Sequence, residues 1–97
     1  MFGMVRFIVF LEMTSEFLRL PLEERQGFIP QWNQIASKYG IKMLFWGLPL
    51  GVSEHVVIVY ELAGNQELFF MFQREWLGLG TPEAGRFIGN TRTIIVH

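Results

Sequence analysis

Histidine is the side chain whose ordinary proton affinity lies nearest neutral pH, and this chain has two, His55 and His97. His55 follows Glu54 at the head of the run EHVVIVYEL, Glu54 to Leu62. Adjacent residues of a strand point to opposite faces, so Glu54 cannot serve His55 from the same side. His55 is the candidate general base, for abstracting a proton or deprotonating an oxidisable phenol. The plainer role is a strand-end histidine bonded to a loop carbonyl or to water. Trp46 and Tyr60 fall in two runs that should pair as antiparallel neighbours and line a flat aromatic pocket. Trp32, on a helical apolar stripe, is the candidate for the opposite wall, although aromatics so spaced also simply fill cores. Arg92 and Arg6 interrupt apolar strands, where an arginine needs a carboxylate, a ligand anion or a route to water. Glu12 and Glu61 are the expected internal partners. A bound carboxylate or phosphate on Arg92 is the sharper alternative.

Composition removes several kinds of chemistry. There is no cysteine among the 97 residues, which excludes disulfides, iron–sulfur clusters and thiolate zinc sites. Two histidines are few for a metal site, so no metal is expected. No GxGxxG follows a strand and no GK[ST] exists, so phosphate-cradling loops are absent from the sequence. No feature speaks for a heme, and no cofactor is expected. A net charge of −1 supplies no field to draw nucleic acid or anionic lipid. The stretch Met43 to Ser53 runs without charge but contains Pro49 and two glycines and falls short of the ~20 residues that a membrane-spanning helix needs. The start, MFGMVRFIVFLEM, lacks a small-residue cleavage site. The expected location is cytoplasmic, with neither nucleic acid nor membrane as partner.

The elements that would position these residues follow from periodicity. Val5 to Glu12 reads as a strand, followed by a turn over Met13 to Leu20. Pro21 suits a helix start, and Leu22, Phe28, Ile29, Trp32, Ile35, Ala36 and Tyr39 form one helical stripe ending at Gly40. Pro30 falls inside, removes the bond to Gln26 and predicts a bend. Glu23-Glu24-Arg25 reads as a solvated helix face. Ile41 to Leu48 and Glu54 to Leu62 are two strands joined by a turn over Pro49 to Ser53. Asn65 caps a second helix over Gln66 to Leu77. Residues 83–90 read as loop or one helical turn, and the glycines from Gly78 to Gly89 as connectors or a lid. Thr91 to Val96 is a fourth strand.

The order β-α-β-β-α-β over one domain, residues 1–97, predicts an α+β split βαβ unit, ferredoxin-like: a four-stranded antiparallel sheet with two helices on one face. The strands are apolar on both sides, whereas a sheet with one wet face alternates. Val5, Phe7, Val9 and Leu11 oppose Ile8 and Phe10; Val56, Ile58, Tyr60 and Leu62 oppose Val57 and Val59; Met43 and Phe45 oppose Leu44 and Trp46. Two helices roof one face only, so a second copy of the chain is expected on the other.

That element order, the doubly apolar sheet and the segment Lys38-Tyr-Gly40-Ile-Lys42 leading to Gly47-Leu-Pro-Leu-Gly51-Val-Ser-Glu54 resemble the dimeric α+β barrel superfamily. It includes cofactor-free antibiotic-biosynthesis-type monooxygenases and muconolactone isomerases. The resemblance spans nearly the whole chain at the level of pattern. It implies two sheets facing each other across a homodimer and a ligand pocket between sheet and helices. Two functions stay open. One is a small-molecule-binding protein or cofactor-independent enzyme acting on a small aromatic or cyclic compound, with His55 moving protons, Arg92 holding an anionic group, and Trp32, Trp46 and Tyr60 as walls. The other is a non-catalytic homo-oligomeric structural or regulatory module.

Overall fold

The computed structural model describes residues 3–77 and 86–97. Its elements are β1 (Met4–Met13), α1 (Ser15–Leu18), α2 (Leu22–Lys38), β2 (Lys42–Gly47), β3 (Val56–Ala63), α3 (Glu67–Trp76) and β4 (Ile88–Val96). All pairings are antiparallel, in the order β2-β3-β1-β4. The predicted α+β sheet is therefore present, with the first and third strands at its centre. The segment expected as a turn after β1 instead holds α1, whose N-cap hydroxyl on Thr14 accepts the Phe17 N–H. β4 begins at Ile88, earlier than the expected Thr91, and the glycine-bearing stretch 78–85 lies outside the described residues.

Helix α2 remains one element through Pro30. It stops where Gly40 takes φ +71°, a left-handed conformation that glycine enters without the side-chain clash other residues meet. Asn65 caps α3 as expected, its Oδ1 accepting the Glu67 N–H at 3.0 Å.

The core lies between the sheet and α2 and α3. Val5, Phe7, Val9 and Leu11 of β1 meet Ile58, Tyr60 and Leu62 of β3 beneath Trp32, Ala36, Phe69, Phe72 and Trp76. Phe69 stacks on Phe7 with ring centroids 3.8 Å apart, and Phe72 stacks on Trp76 at 5.2 Å. This core is aromatic enough for ring contacts to set the helix–sheet spacing.

Among the described residues no helix covers the opposite sheet face, and its side chains line up in rows. Phe45, Val59, Ile8 and Ile94 form a continuous apolar row across all four strands. Lys42, Glu61, Arg6 and Val96 form a row on one side of it, and Gly47, Val57, Phe10 and Arg92 a row on the other. Apolar surface thus occupies the middle, with charge toward both ends. Beyond the β2 end, the loop residue Leu50 is 96% exposed.

β2 is irregular. Met43 opposes Tyr60 but Phe45 opposes Val59, so Leu44 is an extra residue, a β-bulge. Simple alternation puts Trp46 on the face opposite Met43. The bulge reverses this, places Trp46 opposite Ile58 on the helix side, and turns Phe45 to the uncovered side, where it is 59% exposed.

Candidate functional site

At one end of the sheet–helix layer is a half-open cavity of about 140 Å³. β1 ends there at Met13, α1 contributes Phe17 and Leu18, and the first half of α2 contributes Leu22, Arg25, Gln26, Ile29 and Trp32. β2 contributes Trp46, and the entry to β3 contributes His55 and Val56. The α2 residues recur at the spacing of one helical stripe, so the helix directs all of them to the same side. Trp32 and Trp46 wall the cavity from α2 and β2. Two more voluminous hollows, beside Gly64–Glu67 and beside Phe70–Leu77, are open surface depressions.

His55 is tied at two points to the end of β1. Its backbone N–H donates to the Leu11 carbonyl at 2.9 Å, and its Nδ1 accepts the Met13 N–H at 3.0 Å. A nitrogen accepting a backbone N–H has its lone pair occupied, which assigns the proton of the neutral ring to Nε2. The general-base role expected of His55 meets this obstacle: Nδ1 is engaged and Nε2–H is a donor. The plainer reading, a strand-end histidine in the local hydrogen-bond network, matches the geometry, with backbone N–H rather than a carbonyl as partner.

The sequence-derived set divides. His55, Trp32 and Trp46 line this cavity; Tyr60 and Arg92 do not. Tyr60 faces the helices but sits deeper, fully buried among Phe69, Phe72 and Trp76. Burial alone pushes its phenol pKa up, so it stays neutral. Its hydroxyl has no hydrogen-bond partner among the described residues. A buried hydroxyl without a partner carries a desolvation cost of about 1–3 kcal/mol. Tyr60→Phe is therefore expected to leave stability unchanged or raise it by up to about 1 kcal/mol. Urea unfolding checks this, and a clear loss would mean that the hydroxyl is bonded.

Arg92 lies on the uncovered sheet face, away from this cavity. β4 pairs it with Phe10, and its guanidinium lies over that ring at 4.5 Å. Its Nε donates to Glu54 Oε1 at 2.8 Å. The carboxylate is Glu54, neither of the expected Glu12 and Glu61, because β4 runs alongside β1 and brings Arg92 level with the entry to β3. The bond from Arg92 holds the Glu54 carboxyl below the usual glutamate range. Arg6 does take the expected Glu61, at 3.2 Å across the β1–β3 pair.

Arg25, expected on a solvated face, instead reaches the cavity wall. The signal is in the spacing: Arg25 and Gln26 stand three and four residues after Leu22, on the stripe continued by Ile29 and Trp32. Met13, Phe17 and Leu18 escape sequence reasoning, because they belong to the segment that reads as a turn. No group of three or more metal-ligating side chains occurs among the described residues, and none of their helices is long and apolar enough to cross a membrane.

Comparison of this backbone with solved structures decides its class. A mutant chlorite dismutase from Candidatus Nitrospira defluvii superposes over 100% of this chain with TM-score 0.65 at 14% identity. The chain spans 41% of that protein's length. A dimeric protein of unknown function and ferredoxin-like fold from Bacteroides fragilis matches at TM-score 0.53 and 16% identity, over 100% of this chain and 99% of that one. A dimeric ferredoxin-like protein of unknown function from Thermobifida fusca matches at TM-score 0.51 and 16% identity, over 96% and 89%.

The fold is ferredoxin-like. At these identities the likeness is one of fold. No protein-family model matches the sequence, and no curated protein does. The cavity lies at the end of this sheet where β1 runs out and β3 begins.

Proposed function

We propose that this protein is a homodimer, closed sheet to sheet, in which each subunit's sheet–helix cavity takes one small aromatic or cyclic organic molecule without a cofactor. The observation that carries the ligand reading is the cavity walled by Trp32 and Trp46. Its volume of about 140 Å³ is close to the ~150 Å³ of an engineered apolar cavity that binds benzene. The rings and aliphatic groups around it favour a flat apolar guest.

The dimer reading rests on the uncovered face. Its apolar middle row and charged ends have the layout of an interface core and rim. Two of the fold's solved relatives are described as dimeric. The groups at the cavity support recognition more directly than proton abstraction, since the Nδ1 of His55 is already engaged.

Sedimentation of the purified chain should give twice the 11.3 kDa subunit mass. Titration with toluene should change the tryptophan emission saturably. A lone subunit would refute the sheet-to-sheet dimer. A dimer whose emission ignores toluene would leave the non-catalytic assembly module as the better reading.

A further inference from the structure

We infer that the cavity's natural ligand carries an anionic head, a carboxylate on a small ring, and that Arg25 holds that head. The inference rests on the pocket reading above and adds the charge of the guest. Three polar side chains reach the cavity wall: Arg25, Gln26 and His55. Arginine only donates. His55 has spent its acceptor on Met13 N–H and keeps a donor. Gln26 offers two amide hydrogens. No carboxylate side chain lines the cavity among the described residues. The wall is therefore rich in donors, and what satisfies donors in an apolar surround is an acceptor-rich group, best of all a charged one.

Arg25 supplies the independent observation. Its Nε is buried and has no hydrogen-bond partner among the described residues, although the residue as a whole is only half-buried. Protein atoms already cover Nε, so a guest would accept from the terminal Nη groups, which are not among the buried unpartnered atoms. A carboxylate fits the planar fork of arginine better than a single water does. The first turn of α2 adds the positive end of a helix dipole on the same side. Glu23 and Glu24 of that turn are exposed, where solvent and salt screen them. With a volume that suits one ring, the fitting class is an aromatic or cyclic monocarboxylate.

Calorimetric titration with benzoate, benzamide and toluene tests this, on the native dimer and on Arg25→Gln. Benzoate should bind at least about tenfold tighter than benzamide, a difference of about 1.4 kcal/mol. Arg25→Gln should remove most of that advantage while toluene binding stays within about twofold, which shows that the variant cavity is intact. Equal binding of benzoate, benzamide and toluene would overturn the anionic head and leave the pocket standing. A benzoate preference that survives Arg25→Gln would overturn the role of Arg25. Failure of all three to bind would overturn this inference together with the pocket itself.

Discussion

Phe69→Ala is expected to bring the chain close to unfolding. Phe69 is fully buried, its ring lies parallel to that of Phe7 at 3.8 Å, and it meets Phe72 and Tyr60 at tilted angles. Truncation removes a whole ring from a cluster whose remaining members are stiff and cannot collapse into the gap. A buried Phe→Ala change costs about 3–5 kcal/mol. A domain of this size has only about 5–15 kcal/mol in all. Thermal unfolding followed by circular dichroism should show a midpoint lower by roughly 12 °C or more. A shift of only a few degrees would mean that the layer between sheet and helices is looser than the ring distances indicate. Phe69 lies outside the cavity lining, so any change in ligand binding would follow from unfolding and not from lost contact.

Replacing Phe45 and Ile94 together by lysine is expected to abolish the proposed dimer and spare the subunit. The two residues stand at opposite ends of the apolar row, on the edge strands β2 and β4, and are 59% and 42% exposed in the single chain. Their removal therefore takes little from the subunit's own core. In a sheet-to-sheet dimer the same positions would be covered, and an ammonium buried there without a partner costs several kcal/mol. Each 1.4 kcal/mol is tenfold in affinity, so dissociation should strengthen by about a hundredfold or more. Sedimentation over a concentration series reads this directly, with the melting curve of the diluted subunit as the control. A double variant that sediments as the parent does would place the association surface elsewhere.

The architecture is legible in the sequence because it depends on local periodicity. The β-branched and aromatic run around Phe7, Val9 and Leu11, the stripe through Ile29 and Trp32, and Gly40 at a helix end all leave their mark within a few residues. The doubly apolar strands likewise announce a face that the helices leave bare. The candidate site is less legible because it depends on relations between distant segments. α1 is four residues long, too short for a period to show. The Arg92–Glu54 pair follows from the register of β4 on β1, which no hairpin fixes, since α1, α2, β2, β3 and α3 lie between them in the chain. The side that Trp46 occupies turns on one unpaired residue, Leu44, which composition does not reveal. Arg25 looks solvated because its neighbours Glu23 and Glu24 are charged, although its distance from Leu22 and Ile29 turns it inward. His55 can be placed at a strand end, but the backbone N–H that claims its Nδ1 comes from the far end of another strand.

The extra residue in β2 also couples two surfaces that would otherwise vary independently. Taking Leu44 into the ladder as an ordinary paired residue would send Trp46 outward and bring Phe45 in, exchanging the proposed guest wall for the proposed docking wall in a single event without altering the chemistry of either side chain. A change in reading frame of the pleat is thus a stronger lever on this protein's specificity than any one replacement at the cavity. In the proposed dimer it would also move the guest wall and the docking wall together.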